Sequence, residues 1–130
     1  MHYIHSKNYI HRDLKPENFL IGLGKKEGLI HLIDYGLAKK VAAPSIEPKA
    51  HKKFVGVARY ASLNSHMGLE QGKRDDLESI GFILIYLLKG SLPWQGIEPK
   101  EGEDLERLIF KKKADTAVSE LCKDLPGIVG

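Results

Sequence analysis

The residues with chemistry to offer stand together early in the chain: His11-Arg12-Asp13-Leu14-Lys15-Pro16-Glu17-Asn18, followed further on by Asp34-Tyr35-Gly36. Asp13 is a carboxylate that can stand at a substrate hydroxyl, and Lys15 beside it can reach a transferred phosphate. Asn18 and Asp34 present oxygens suited to a hard octahedral cation such as Mg²⁺. Such a set answers the demands of phosphoryl transfer, in which tight positioning matters and the developing charge sits on phosphate oxygens. On its own, a His-Arg-Asp tripeptide reads as a turn aspartate with Asn18 as a cap. The joint pattern, with a short hairpin spacing two metal ligands, carries the assignment.

Those side chains need elements to hold them. Phe19 to Ile21 and Leu29 to Ile33 are short β-branched or aromatic runs joined by Gly-Leu-Gly-Lys-Lys-Glu-Gly. They predict a hairpin that brings Asn18 and Asp34 to adjacent strand ends. Residues 2–8 read as the end of a helix, and 37–58, with small residues, Pro44, Pro48 and several lysines, as an irregular loop. Asp75 and Asp76 offer an N-cap and first-turn negative charge to a helix from Leu77 to Leu88, stopped by Gly90. That helix is apolar almost all round, with Leu77, Ile80, Leu84 and Leu88 on one face and Phe82, Ile83, Ile85 and Tyr86 on the others. It therefore reads as a central strut covered on several sides. Glu103 to Lys113 predicts a more amphipathic helix and 118–122 a shorter one. The fold class is α+β, mainly helical with a short hairpin.

Composition sets outer bounds. The chain has 130 residues, 42% of them hydrophobic and 28% charged, which suits a single globular domain with its own core. The single cysteine, Cys122, excludes an internal disulfide, fits a reducing compartment and reads as a small buried hydrophobe. The longest apolar run, Ile80 to Leu88, falls short of the roughly 20 residues a membrane helix needs. A net charge of +3 is too mild to indicate nucleic acid. Neither nucleic acid nor membrane is an expected partner. Lys111 to Lys113 reads as a solvated helix end, Gly22-Leu23-Gly24 as a turn, and His2 with His5 as histidines lacking a third metal ligand.

The catalytic-loop pattern and the Asp-Tyr-Gly variant together resemble those of protein kinases. Three later segments narrow the resemblance to the casein kinase 1 family: Ala58-Arg59-Tyr60-Ala61-Ser62-Leu63-Asn64, Lys73 to Gly81, and Gly90-Ser91-Leu92-Pro93-Trp94-Gln95-Gly96. Vaccinia-related and tau-tubulin kinases are the nearest alternatives. The likeness runs from His2 to about Leu125 and is weakest across 41–51 and 97–105. It implies a Ser/Thr kinase using ATP and Mg²⁺, with Asp13 and Lys15 catalytic, Lys15, Asn18 and Asp34 on the cofactor, and Asn18 and Asp34 on the metal. It also implies that His11, Arg12 and Asp76 are structural, with Asp76 the buried acid tying the long helix to the catalytic loop. An anion pocket for acidic or phosphorylated protein substrates would map to Arg59, Lys52, Gly90 and Ser91, although Lys52 with Lys53 also reads as a solvated pair. Such kinases imply a cytoplasmic and nuclear location.

The sequence departs from that family in two respects. Ten residues precede His11, with no glycine-rich phosphate loop or V-A-I-K lysine among them. The expectation is a partial kinase domain over 1–130, a C-terminal lobe truncated at both ends, monomeric if complete and self-associating if truncated. Val57 stands where the family has a threonine that hydrogen-bonds the catalytic Asp and Lys. This leaves open a weak catalyst, or a non-catalytic lobe that binds phosphorylated or acidic partners. Ser45 is the one hydroxyl residue of the intervening loop before Arg59, apart from tyrosine at Asp34-Tyr35, so Arg12 is not expected to await a loop phosphate.

Overall fold

The computed structural model describes residues 1–41 and 54–127. Lys52 and Lys53 therefore lie outside the described residues, as does most of the expected loop.

The chain opens with α1 (His2–Ser6) and β1 (Tyr9–Ile10), joined through Asn8 in the left-handed region. A short 3-10 turn at Pro16–Asn18 then leads into β2 (Phe19–Ile21), with proline at its start, where its missing N–H costs nothing. β2 pairs antiparallel with β3 (Ile30–Leu32) in the register Phe19 to Leu32, Leu20 to His31 and Ile21 to Ile30. This is the hairpin the glycine-rich turn predicts. The stretch read as wholly irregular contains β4 (Lys39–Lys40), which pairs antiparallel with β1. Nothing in two consecutive lysines signals a strand. The pairing is a tertiary consequence of the chain returning past Tyr9 and Ile10.

Beyond the loop come α2 (Leu63–His66), α3 (Lys73–Lys89), α4 (Leu105–Asp115) and α5 (Val118–Leu121). α3 starts earlier than the two aspartates suggested. Gly72 is its N-cap residue and Asp75 sits at the third position, where its Oδ2 accepts from the Gly72 N–H at 2.7 Å. That interaction is the acidic half of a capping box, and it moves Asp76 inside the first turn. Gly90, at φ 81°, ends the helix in the left-handed conformation glycine adopts without strain.

The core gathers Leu14, Tyr60, Ile83, Ile85, Leu92, Trp94 and Leu121 around α3. Phe82 meets the Trp94 ring edge to face at 5.0 Å, and Tyr86 meets Tyr60 at 5.8 Å. The helix is not covered on all sides. Leu77, Leu84, Leu87 and Leu88 are exposed, so the stripe through Leu77, Leu84 and Leu88 is the open one and the Ile83 and Ile85 side is packed. Cys122 is half-buried against the core rather than fully enclosed. Among the described residues no helix is long and apolar enough to cross a membrane.

Candidate active site

Backbone amides in a loop need partners once water is excluded, and in the loop expected to be catalytic they are supplied from α3. Asp76, 2% exposed, accepts the His11 N–H at 2.8 Å on Oδ2 and the Arg12 N–H at 3.0 Å on Oδ1. His5 Nε2 completes the set at 2.8 Å. The carboxylate thus has three partners and stands in the first turn of a 17-residue helix, where the helix dipole favours negative charge. Arg12, held between these bonds, takes φ 67°, a conformation that costs energy for any residue with a side chain. Its Nε donates to the Leu37 carbonyl at 2.7 Å.

His11 is fully buried and bonded on both ring nitrogens. Nδ1 accepts from the Asp13 N–H at 3.2 Å, which leaves the proton on Nε2 to donate to the Ile33 carbonyl at 3.0 Å. The ring therefore ties this loop to the exit of the second hairpin strand, next to Asp34, and its edge contact with Tyr35 at 5.2 Å extends the tie into Asp-Tyr-Gly. Asp13 is half-buried with the Lys15 Nζ 3.7 Å from its Oδ2. Its carbonyl accepts from the Asn18 Nδ2 at 2.8 Å.

Asn18 and Asp34 have the chemistry a hard cation needs. With Nδ2 committed to Asp13, Asn18 has its amide oxygen to offer. The exposed Asp34 spends Oδ1 on the Gly36 N–H at 3.2 Å and keeps further acceptor capacity. The Ile33 N–H bonds the Asn18 carbonyl at 2.9 Å, so the two ligands occupy one end of the hairpin. Asp34 also carries a left-handed φ of 61°. Arg12 and Asp34 share this conformation with Asn8 and Asp124.

Gly56 lies against this loop. At φ 95° its backbone comes so close that a Cβ would stand 2.9 Å from the Arg12 carbonyl oxygen and 3.7 Å from Asp13 Oδ1. Only glycine fits there. Val57, which follows, lines a small cavity with Asp13, Tyr60 and Ser79. A valine side chain, with no hydroxyl to offer, thus shares this cavity with Asp13.

Of the expected anion pocket, Arg59, Gly90 and Ser91 are exposed. The Arg59 carbonyl accepts from Trp94 Nε1 at 2.8 Å, which links that segment to the turn after α3. Burial raises the Tyr60 phenol above its usual range, and the Arg59 guanidinium hydrogen-bonded to it pulls back.

Sequence reasoning missed four contacts. His5 partners Asp76, Gly56 packs on the loop, and Asp75 accepts Ser62 Oγ at 2.7 Å, so adjacent carboxylates hold different segments. The fourth is Lys113. It is not part of a solvated end like exposed Lys111 and Lys112, because it is 4% exposed and bonded to the Ala58 and Ala61 carbonyls, each at 2.7 Å. Its helical spacing from Ile109 placed it on the apolar face, and that was the available signal.

The protein kinase domain family model matches residues 1–126.

Proposed function

We propose a function from one established premise: the chain belongs to the protein kinase family. Members of that family generally use ATP and Mg²⁺. On that premise the chain is the C-terminal lobe of a Ser/Thr kinase of the casein kinase 1 type, acting on acidic or already phosphorylated protein substrates. The family narrowing is supported by the segments around Arg59, Asp76 and Trp94.

One observation carries the catalytic reading. Asp76 fixes the His11 and Arg12 amides, and the loop so held sets Asp13 beside Lys15 with Asn18 tethered to the Asp13 carbonyl. Asp13 would position a seryl or threonyl hydroxyl and take its proton as the oxygen bonds to phosphorus. Lys15 would balance charge on the transferred group, and Asn18 with Asp34 would hold Mg²⁺ by their oxygens. Mg-ATP, when bound, supplies the γ-phosphoryl group and leaves as ADP. Transfer of label from γ-labelled ATP to an acidic seryl peptide tests this. Incorporation by the chain that Asp13→Asn abolishes is expected, and equal incorporation by both overturns it.

Val57 favours a second reading, a kinase-like lobe that binds phosphorylated or acidic peptides without transfer. Losing a hydrogen bond to a charged group costs about 1.5–3 kcal/mol, which, expressed wholly in the transition state, slows chemistry about ten- to a hundredfold. Phosphopeptide binding without any label transfer would select it.

A further inference from the structure

Burying a lysine costs free energy unless its ammonium is fully partnered, so Lys113 calls for a reason. An ammonium has three N–H donors. Those of Lys113 go to the Ala58 carbonyl and the Ala61 carbonyl at 2.7 Å each, and to His66 Nε2 at 2.9 Å. The Phe82 and Trp94 rings flank the charge with centroids 5.2 and 5.1 Å away.

The two carbonyls bracket Arg59, whose own carbonyl is held by Trp94 Nε1 at 2.8 Å. Three carbonyls of the segment 58–61 are thus fastened from the core side. Tyr60 is buried beneath it, while Arg59 is exposed. An anion-binding guanidinium works best when its backbone is fixed before the ligand arrives, because less ordering remains to be done on binding.

We infer that Lys113 is a positioning residue for substrate recognition, fixing the backbone on both sides of Arg59 so that its guanidinium meets a peptide phosphoryl group. The inference rests on the reading of Arg59 as the anion contact. It assigns specificity to a residue on α4 that itself touches no substrate.

The charge environment fits this role. Among the described residues the titratable groups facing Lys113 are His66 from α2, at 2.9 Å, and Glu78 from α3. Burial lowers Lys113 to about 7, opposed by the Glu78 carboxylate. His66 is lowered to about 4, by burial first and then by the Lys113 charge, so near neutral pH it is an uncharged acceptor. When Lys113 loses its proton, two N–H donors remain, but the bonds are no longer charge-assisted and the cation–π attraction is gone. The clamp loosens.

The test is the affinity ratio of the full chain for a phosphoserine peptide over its unphosphorylated twin, measured from pH 6 to 9. The phosphoryl group is mostly a dianion above its pKa of about 6, so the peptide itself gives no decline in that upper range. The wild type should prefer the phosphopeptide, with the ratio falling as pH rises through about 7. Lys113→Met should lower the ratio about tenfold at pH 6.5, the loss of one charge-assisted contact, and flatten its pH profile. Arg59→Ala should remove the preference while leaving the emission of the single tryptophan, Trp94, unchanged. If Lys113→Met fails to fold, the wild-type profile alone decides. A phosphopeptide preference that is flat with pH, or equal in Lys113→Met, overturns the positioning role and spares the Arg59 reading. No preference in the wild type at any pH overturns the Arg59 reading and this inference with it.

Discussion

Two of the buried charges, Asp76 and Lys113, hold loop backbone from opposite ends of two helices. Asp76 sits in the first turn of α3 and gathers amide donors from the catalytic loop. Lys113 sits in the last turn of α4 and gathers carbonyl acceptors from the segment around Arg59. Each sign matches the helix end it occupies, and each charge substitutes for secondary structure by satisfying loop backbone that has no ladder of its own. The difference lies in what holds the charge. Asp76 has three donors converging on it. Lys113 has two carbonyls, a neutral imidazole and two aromatic faces, and burial brings it near the edge of deprotonation at neutral pH. One region is built to stay fixed, the other to respond.

The comparison breaks most easily at Asp76. Asp76→Ala strands the His11 and Arg12 amides and His5 in the interior, and removing one side of a buried charged network costs about 3–5 kcal/mol. Urea unfolding of the variant should show a loss of that size, or no folded chain. A loss under 1 kcal/mol would mean the catalytic loop is held by something else.

Gly56→Ala is expected to have an intermediate effect. A Cβ there meets the Arg12 carbonyl oxygen at 2.9 Å in a backbone conformation that alanine resists. A cost of about 1–3 kcal/mol follows, with phosphoryl transfer falling further than stability because the displaced group belongs to the catalytic loop. Thermal unfolding alongside label transfer separates the two.

Lys113→Met sharpens the contrast through a small effect. Two carbonyls lose their donor, but a costly buried charge goes with it, so stability at pH 7 should change by only about 1 kcal/mol. The pH dependence is more diagnostic. In the unfolded chain the lysine holds its proton to its ordinary value of 10.5, whereas in the folded chain it releases it at about 7. Between those values the unfolded state binds more protons, so Lys113 makes stability rise with pH across that window. The variant should lose that rise. Stability and phosphopeptide preference therefore move in opposite directions as pH increases, which a residue that only supports the fold would not produce.

The role of Asp76 came from the family resemblance, since its partners His11 and Arg12 lie 65 and 64 residues away, whereas the loop it holds was legible from local pattern. His11 to Asn18, the hairpin and Asp34 lie close together in the chain, so motif spacing and strand periodicity describe them directly. The Gly90 stop is equally local. Gly72 as N-cap was less visible because its partner is the Asp75 side chain rather than a cap of its own. The partners of His5 and Lys113 lie 71 and 52 or more residues away for the Asp76 and the two remote carbonyl contacts respectively, and no local pattern encodes them. A lysine in a run of three reads as solvent-facing until the helix phase against Ile109 is counted. The open stripe of α3 is hidden for a similar reason, since an all-apolar helix does not declare which of its faces the rest of the chain will cover.

The most direct test of the site's chemistry uses Val57, which shares a cavity with Asp13. Label transfer from ATP to a seryl peptide should be measured for the wild type, Val57→Thr, and Val57→Thr combined with Asp13→Asn. The threonine hydroxyl is expected to raise transfer about ten- to a hundredfold, and Asp13→Asn to erase the gain. A gain that survives Asp13→Asn, or no gain from Val57→Thr, would contradict that expectation.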